Sequence, residues 1–123
     1  MNDRRKEPRF RLRDNAFAIG PGEPKRLGKL IDISRSGLSF QYMEEANNFG
    51  AGTELHIFSS AHSLFLESFS FEIVSDSPMP KHPASTLYMR RRGGRFSLLA
   101  AGQQAQLDEF ISLHSEGIAR TGS

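Results

Sequence analysis

The stretch Ser68-Phe69-Ser70-Phe71-Glu72-Ile73 (SFSFEI, residues 68–73) alternates strictly between polar and apolar side chains. Successive side chains of a strand point to opposite faces, so Phe69, Phe71 and Ile73 share a packed face while Ser68, Ser70 and Glu72 face water. Outward from this strand, glycines, prolines and asparagines cut the chain into short apolar runs about ten residues apart, the rhythm of an all-β barrel or sandwich. Strands are expected near Ala16–Ile19, Leu27–Ser34, Leu38–Met43, Glu54–Phe58, Leu64–Val74 and Leu87–Leu98. The breakers between them are Pro21-Gly22, Gly37, Gly50-Ala51-Gly52 and the proline-rich 78–83, with Ser77–Thr86 expected as a mobile hairpin tip.

The period changes at the end of the chain. Leu107, Phe110, Ile111 and His114 follow i, i+3, i+4, i+7, a single helical stripe, with Gly102 before it and Gly117 placed to close it. One amphipathic helix after six short strands would cover an open end or seam of a barrel. No internal repeat and no second domain is visible.

At 123 residues the chain is one domain, able to bury roughly two-thirds of its unfolded surface. Net charge is +2, but residues 1–13 hold six cations (Arg4, Arg5, Lys6, Arg9, Arg11, Arg13) against Asp3 and Glu7. A basic arm on a mildly acidic body implies an anionic partner for the arm. With no cysteine there is neither a disulfide framework nor a thiolate metal site. No apolar run approaches the ~18 residues of a membrane span, and the basic N-terminus continues into Pro8-Arg9-Phe10-Arg11 rather than a signal-peptide core. The expectation is a cytoplasmic protein with no membrane insertion.

Support for catalysis is thin. His56, His62, His82 and His114 have no i, i+4 pair and no clustered carboxylates, so they read as surface or rim residues rather than metal ligands. Ser34 lacks the flanking glycines of a nucleophile elbow, and no phosphate-cradling glycine loop precedes a helix. Glu44 and Glu45 read as a solvated pair. Arg90-Arg91-Arg92-Gly93-Gly94-Arg95 has the look of an RNA-binding arginine-glycine segment, but strand-like flanks favour a basic strand face. Phe10 reads as the first residue anchored in the core.

Two features remain. Arg5-Lys6-Glu7-Pro8-Arg9 places two arginines four apart where Pro8 excludes a helix interior. Guanidinium forks match phosphate oxygens and also stack on purine faces. Ile31-Asp32-Ile33-Ser34-Arg35-Ser36-Gly37 offers, on one strand face, a carboxylate and a hydroxyl that can accept from the N–H edge of guanine. On this alternation Ile31 and Ile33 build the core, Asp32 and Ser34 face outward, and Gly37 supplies positive φ and an approach free of Cβ.

Together these residues resemble the signature of PilZ domains, bacterial receptors for cyclic di-GMP: Arg-x-x-x-Arg, then Asp/Asn-x-Ser-x-x-Gly. The resemblance runs from Arg4 to about Gly117, with Gly52-Thr53 similar to the family's middle turn, Gly94-Arg95-Phe96 to its closing strand and Gln103–Leu113 to its helix. It implies an all-β chain with one helix: a six-stranded antiparallel PilZ-type β-barrel plus a C-terminal α-helix. The single domain would span 1–117, with 1–13 as a flexible ligand-binding arm and 118–123 as a disordered tail. It also implies that Arg4, Arg5, Arg9, Asp32, Ser34 and Gly37 bind cyclic di-GMP, with no cofactor, no catalysis and an unidentified downstream effector protein. Arg4, just before the motif, implies two ligands per chain. The competing readings are a PilZ-type scaffold that no longer binds nucleotide and a small nucleic-acid-binding barrel; nucleic acid is the less expected partner.

Overall fold

The computed structural model describes residues 9–12, 16–20, 26–44 and 54–114. Its elements are β1 (Phe10–Arg11), β2 (Ala16–Gly20), β3 (Arg26–Ile33), β4 (Gly37–Met43), β5 (Glu54–Ser59), β6 (Leu64–Pro78), β7 (Met89–Phe96) and α1 (Ala101–His114). All pairings are antiparallel. The sheet runs β3-β2-β5-β6-β7-β4, and β4 pairs back onto β3, closing a six-stranded barrel. The two-residue β1 adds to the C-terminal half of β3, with Phe10 opposite Ile33 and Arg11 opposite Asp32. The expected six strands and helix are present.

The core is the inward face of each strand. Ala16 and Ala18, Leu38 and Phe40, Leu55 and Ile57, and Phe69 and Phe71 alternate inward as period two demands. Phe10 packs against this cluster from the edge. Leu107, Phe110 and Ile111 of α1 complete it, so the helix caps one end of the barrel. Fully buried Phe40, Phe69 and Phe110 each contribute about 1.5–3 kcal/mol of apolar burial.

Alternation breaks at three places: in β6 between Leu66 and Phe69, opposite Leu55–Ile57, and at two further bulges that bear on the candidate site. In β3 the ladder passes from Leu30↔Phe40 to Asp32↔Ser39, leaving Ile31 unpaired. Leu30 and Ile33 are therefore the core residues and Ile31 is only half-buried, which corrects the expectation from simple alternation. In β6 the ladder passes from Ile73↔Gly94 to Ser75↔Gly93, so Val74 bulges into solvent. Beyond it β6 continues to Pro78, so Ser77 and Pro78 belong to the strand rather than the hairpin tip, which starts at Met79.

The helix begins one residue before Gly102, which lies inside its first turn with open space beside it. Gln103 fastens that turn: its side-chain amide donates to the carbonyls of Glu67 and Ser68. At the far end of α1 the Ser59 hydroxyl contacts His114 Nε2, and His114 Nδ1 lies 3.1 Å from the Phe110 carbonyl. Burial holds the His114 imidazole below its ordinary value; the Phe110 carbonyl opposes this and His62 adds to it. The expected breaks at 21–22 and 50–52, the 52–53 turn, Glu45, Gly117 and the 118–123 tail lie outside the described residues, as do Arg4, Arg5 and most of the arm.

Candidate functional site

The bulge at Ile31 aims the Asp32 carboxylate at the outer face of the barrel, yet Asp32 is only 8% exposed because other side chains cover it. Arg9, just ahead of β1, donates from Nη1 to Asp32 Oδ1 at 2.7 Å. Ser39, opposite Asp32 on β4, donates to the same oxygen at 2.8 Å. Arg91 of β7 donates from Nη2 to Asp32 Oδ2 at 3.3 Å and to Ser39 Oγ at 3.2 Å. One carboxylate thus gathers the arm, β4 and β7.

Beside it runs a groove of about 390 Å³ across β3, β4, β7 and β6. Asp32, Arg9 and Arg91 form one wall, Arg95 and Val74 the other, and Ser39, Ser75 and Gly93 the floor. A second hollow of about 300 Å³, lined by Leu12, Lys29, Ile31 and Gln41, shares Asp32 and Arg91 as its boundary. The Asp32–Arg91 pair therefore stands between two open spaces.

Ser34 does not face outward. β3 ends at Ile33, and Ser34 is fully buried, its hydroxyl accepting from the backbone N–H of Ser36 at 3.1 Å and of Gly37 at 3.2 Å. This is a serine turn, a side chain standing in for a backbone acceptor. Gly37 is also buried, and its φ is not in the left-handed region. A Cβ there would collide with the Gly94 carbonyl and come within 2.9 Å of Arg95 Cα, so glycine is required by the approach of β4 to β7. Arg35, at the exposed tip of the turn, donates to Asp108 Oδ1 at 2.9 Å and Gln104 Oε1 at 3.2 Å, tying the turn to α1.

The three-arginine run divides by strand alternation. Arg90 and Arg92 point inward at the end of the barrel opposite α1, where both bond the Asp76 carboxylate and Tyr42 donates to it as well. Burial acts to raise the Asp76 carboxyl, but the bonds from Tyr42, Arg90 and Arg92 outweigh it and hold it below the ordinary carboxylate value. Burial, with the bond to Asp76, pushes the Tyr42 phenol up. Arg91 alone of the three faces the groove. The expected basic strand face is thus real only at every second position. Motif reading missed Arg91 and Ser39; alternation within Arg90–Arg92 was the available signal.

No protein-family model matches the sequence, and no curated protein matches it. Solved structures do. K. pneumonia MrkH in complex with c-di-GMP superposes with a TM-score of 0.70 at 16% identity, over 91% of this chain and 52% of that one. The PilZ domain of YcgR from Escherichia coli with c-di-GMP also gives 0.70 at 16% identity, over 90% of this chain and 91% of that domain. The barrel is a PilZ fold. Bacillus subtilis MotI/DgrA, an inhibitor of motility, shares the PilZ barrel with a TM-score of 0.58 at 18% identity, over 91% of this chain. This chain spans about half the length of MrkH and of MotI/DgrA. In this PilZ barrel the carboxylate of the Asp-x-Ser-x-x-Gly motif and the second arginine of Arg-x-x-x-Arg are in direct contact.

Proposed function

We propose that this protein is a cytoplasmic receptor that binds cyclic di-GMP, catalyses nothing, and relays occupancy to a partner protein through a change in its surface. The observation that carries this reading is the Asp32 carboxylate held between Arg9 and Arg91 at the edge of an open groove. Guanine presents N–H donors that suit a carboxylate, and a phosphodiester suits guanidinium forks. Ligand and site would exchange partners: guanine takes Asp32, and the phosphates take the arginines that Asp32 released. No charge is left buried and unpaired at any stage, which keeps the exchange cheap.

In this reading Arg4, Arg5 and Arg9 grip phosphates and guanine faces, and Asp32 reads the guanine edge. Ser34 and Gly37 serve the site from behind, by fixing the turn and the β4–β7 spacing that set the position of Asp32 and Ser39. Two structures of the same fold, those of MrkH and the YcgR PilZ domain, are complexes with c-di-GMP. Arg90 and Arg92 are engaged by Asp76, which counts against the nucleic-acid reading of the 90–95 run. Among the described residues no helix is long and apolar enough to cross a membrane.

Calorimetric titration tests the proposal. Cyclic di-GMP should bind saturably with two molecules per chain. Cyclic di-AMP should bind far more weakly, because the adenine edge lacks the paired N–H donors that a carboxylate accepts. Equal affinity for both dinucleotides, or no saturable heat with cyclic di-GMP, would sink it.

A further inference from the structure

Strand β7 lies outside both sequence motifs, yet it builds the floor and far wall of the groove. Its register against β4 places Arg91 opposite Gln41, Gly93 opposite Ser39 and Arg95 opposite Gly37, all on the outer face. Arg91 and Arg95 are four residues apart on that face, about 13 Å along an extended strand. Between them Gly93 leaves a gap: a Cβ there would sit 3.2 Å from Ser75 Oγ and 3.7 Å from Ser39 Cβ, directly over the groove floor. Its neighbour Gly94 is different. It points inward, where a Cβ would meet the Glu72 carbonyl and the Phe71 ring, so the barrel itself forbids a side chain there.

Both outward arginines are weakly held. The Arg91 side chain is 47% exposed and reaches Asp32 at 3.3 Å, and Arg95 is 65% exposed with its partner Glu72 equally open at 59%. The Arg95–Glu72 pair is exposed on both sides and adds little to stability, and Asp32 keeps Arg9 and Ser39 if Arg91 leaves it, so either guanidinium can turn to a better anion without loss of fold. A cation, a side-chain-free gap lined by serine hydroxyls, and a second cation form a seat for a phosphodiester-linked ligand lying along the strand.

We propose that β7 supplies a second half of the binding site, in which Arg91 and Arg95 grip phosphate on either side of the Gly93 gap. The inference rests on the cyclic di-GMP reading above. It also supplies cations from the barrel itself, which a two-ligand site with four phosphates needs in addition to those of the arm.

The test is calorimetry with cyclic di-GMP on Arg91→Ala, Arg95→Ala and Gly93→Val, with thermal melting of each. Lys81→Ala is the control, since it removes an equal charge from the exposed tip between β6 and β7. Each arginine variant should weaken binding about ten-fold or more, the drop expected for one charge-assisted hydrogen bond, Gly93→Val should weaken it by filling the gap, and Lys81→Ala should bind as wild type. If Gly93→Val does not fold, the two arginine variants decide alone. Wild type that binds cyclic di-GMP, with folded Arg91→Ala and Arg95→Ala binding like the control, overturns the β7 half and leaves the receptor reading standing. Wild type that does not bind cyclic di-GMP overturns both.

Discussion

Replacing Asp32 with alanine separates what the carboxylate does for the fold from what it does for the ligand. The substitution removes the acceptor of Arg9 at 2.7 Å, Ser39 at 2.8 Å and Arg91 at 3.3 Å. Both arginines are partly open to water and stay solvated, so each broken pair costs about 0.2–1 kcal/mol. Ser39 is buried and is deprived of the acceptor for its hydroxyl, which costs about 1 kcal/mol. The fold should be weakened by about 2 kcal/mol in all, lowering the melting midpoint by roughly 5–10 °C for a domain of this size. Affinity for cyclic di-GMP should fall further, by about ten- to a hundred-fold, because hydrogen bonds from guanine to this carboxylate would be charge-assisted under the proposed function. Asp32→Asn sharpens the comparison: its amide oxygen can still accept from Ser39, so it should restore stability more than affinity. Circular dichroism melting and calorimetry at 25 °C read the two quantities separately. A folded Asp32→Ala protein that binds cyclic di-GMP like wild type would refute the placement of the site.

Arg4→Leu should lower the calorimetric stoichiometry from the proposed two ligands per chain toward one without abolishing binding, since one fewer cation would offset the four phosphates of a ligand pair; an unchanged ratio would remove Arg4 from that role. Gly37→Ala should cost about 3 kcal/mol in urea unfolding, because its Cβ meets backbone of Gly94 and Arg95 that cannot yield without parting β4 from β7. Acid should loosen the helix end of the barrel. His114 titrates below its ordinary value when folded, so the unfolded chain takes up the proton first as pH falls through about 6.5. That contribution is complete above this pH and is lost progressively below it, so the melting midpoint should decline as pH falls below about 6.5 and decline less in His114→Gln.

Most of the barrel was legible because its strands are half-buried and written with period two. The six strand positions follow from that and from the glycine and proline breaks, and the helix from the 3.6-residue stripe Leu107-Phe110-Ile111-His114. Phase was not legible. Leu30-Ile31 and Ile73-Val74 are adjacent apolar pairs inside otherwise alternating strands, and each marks the bulge at which one residue drops out of the ladder. Missing the first placed Ile31 in the core in place of Leu30. Ser34 and Gly37 stood out in the sequence for a reason different from the one the structure gives, since a turn acceptor and a strand crossing select the same residue types as a ligand surface. Arg91 could not be found from either motif, because its place beside Asp32 depends on the pairing of β4 with a strand about fifty residues away.

That pairing also shapes how the molecule lives in a cell. The groove draws on Arg9, Asp32, Ser39, Ser75, Gly93 and Arg95, and no short piece of chain contains enough of it to hold a ligand. The pairing of β4 with β7, from Gly37↔Arg95 to Met43↔Met89, brings Ser39 beside Gly93 and Arg91, so the site exists only where that long-range ladder is formed. Under the proposed function, ligand binding would stabilise the whole domain rather than a loop, by about 2.7 kcal/mol per site at a hundred-fold excess over Kd. A gain of that size changes the fraction of chains open to proteases about a hundred-fold. The concentration of a second messenger would therefore set how long each copy of such a receptor survives as well as what it binds.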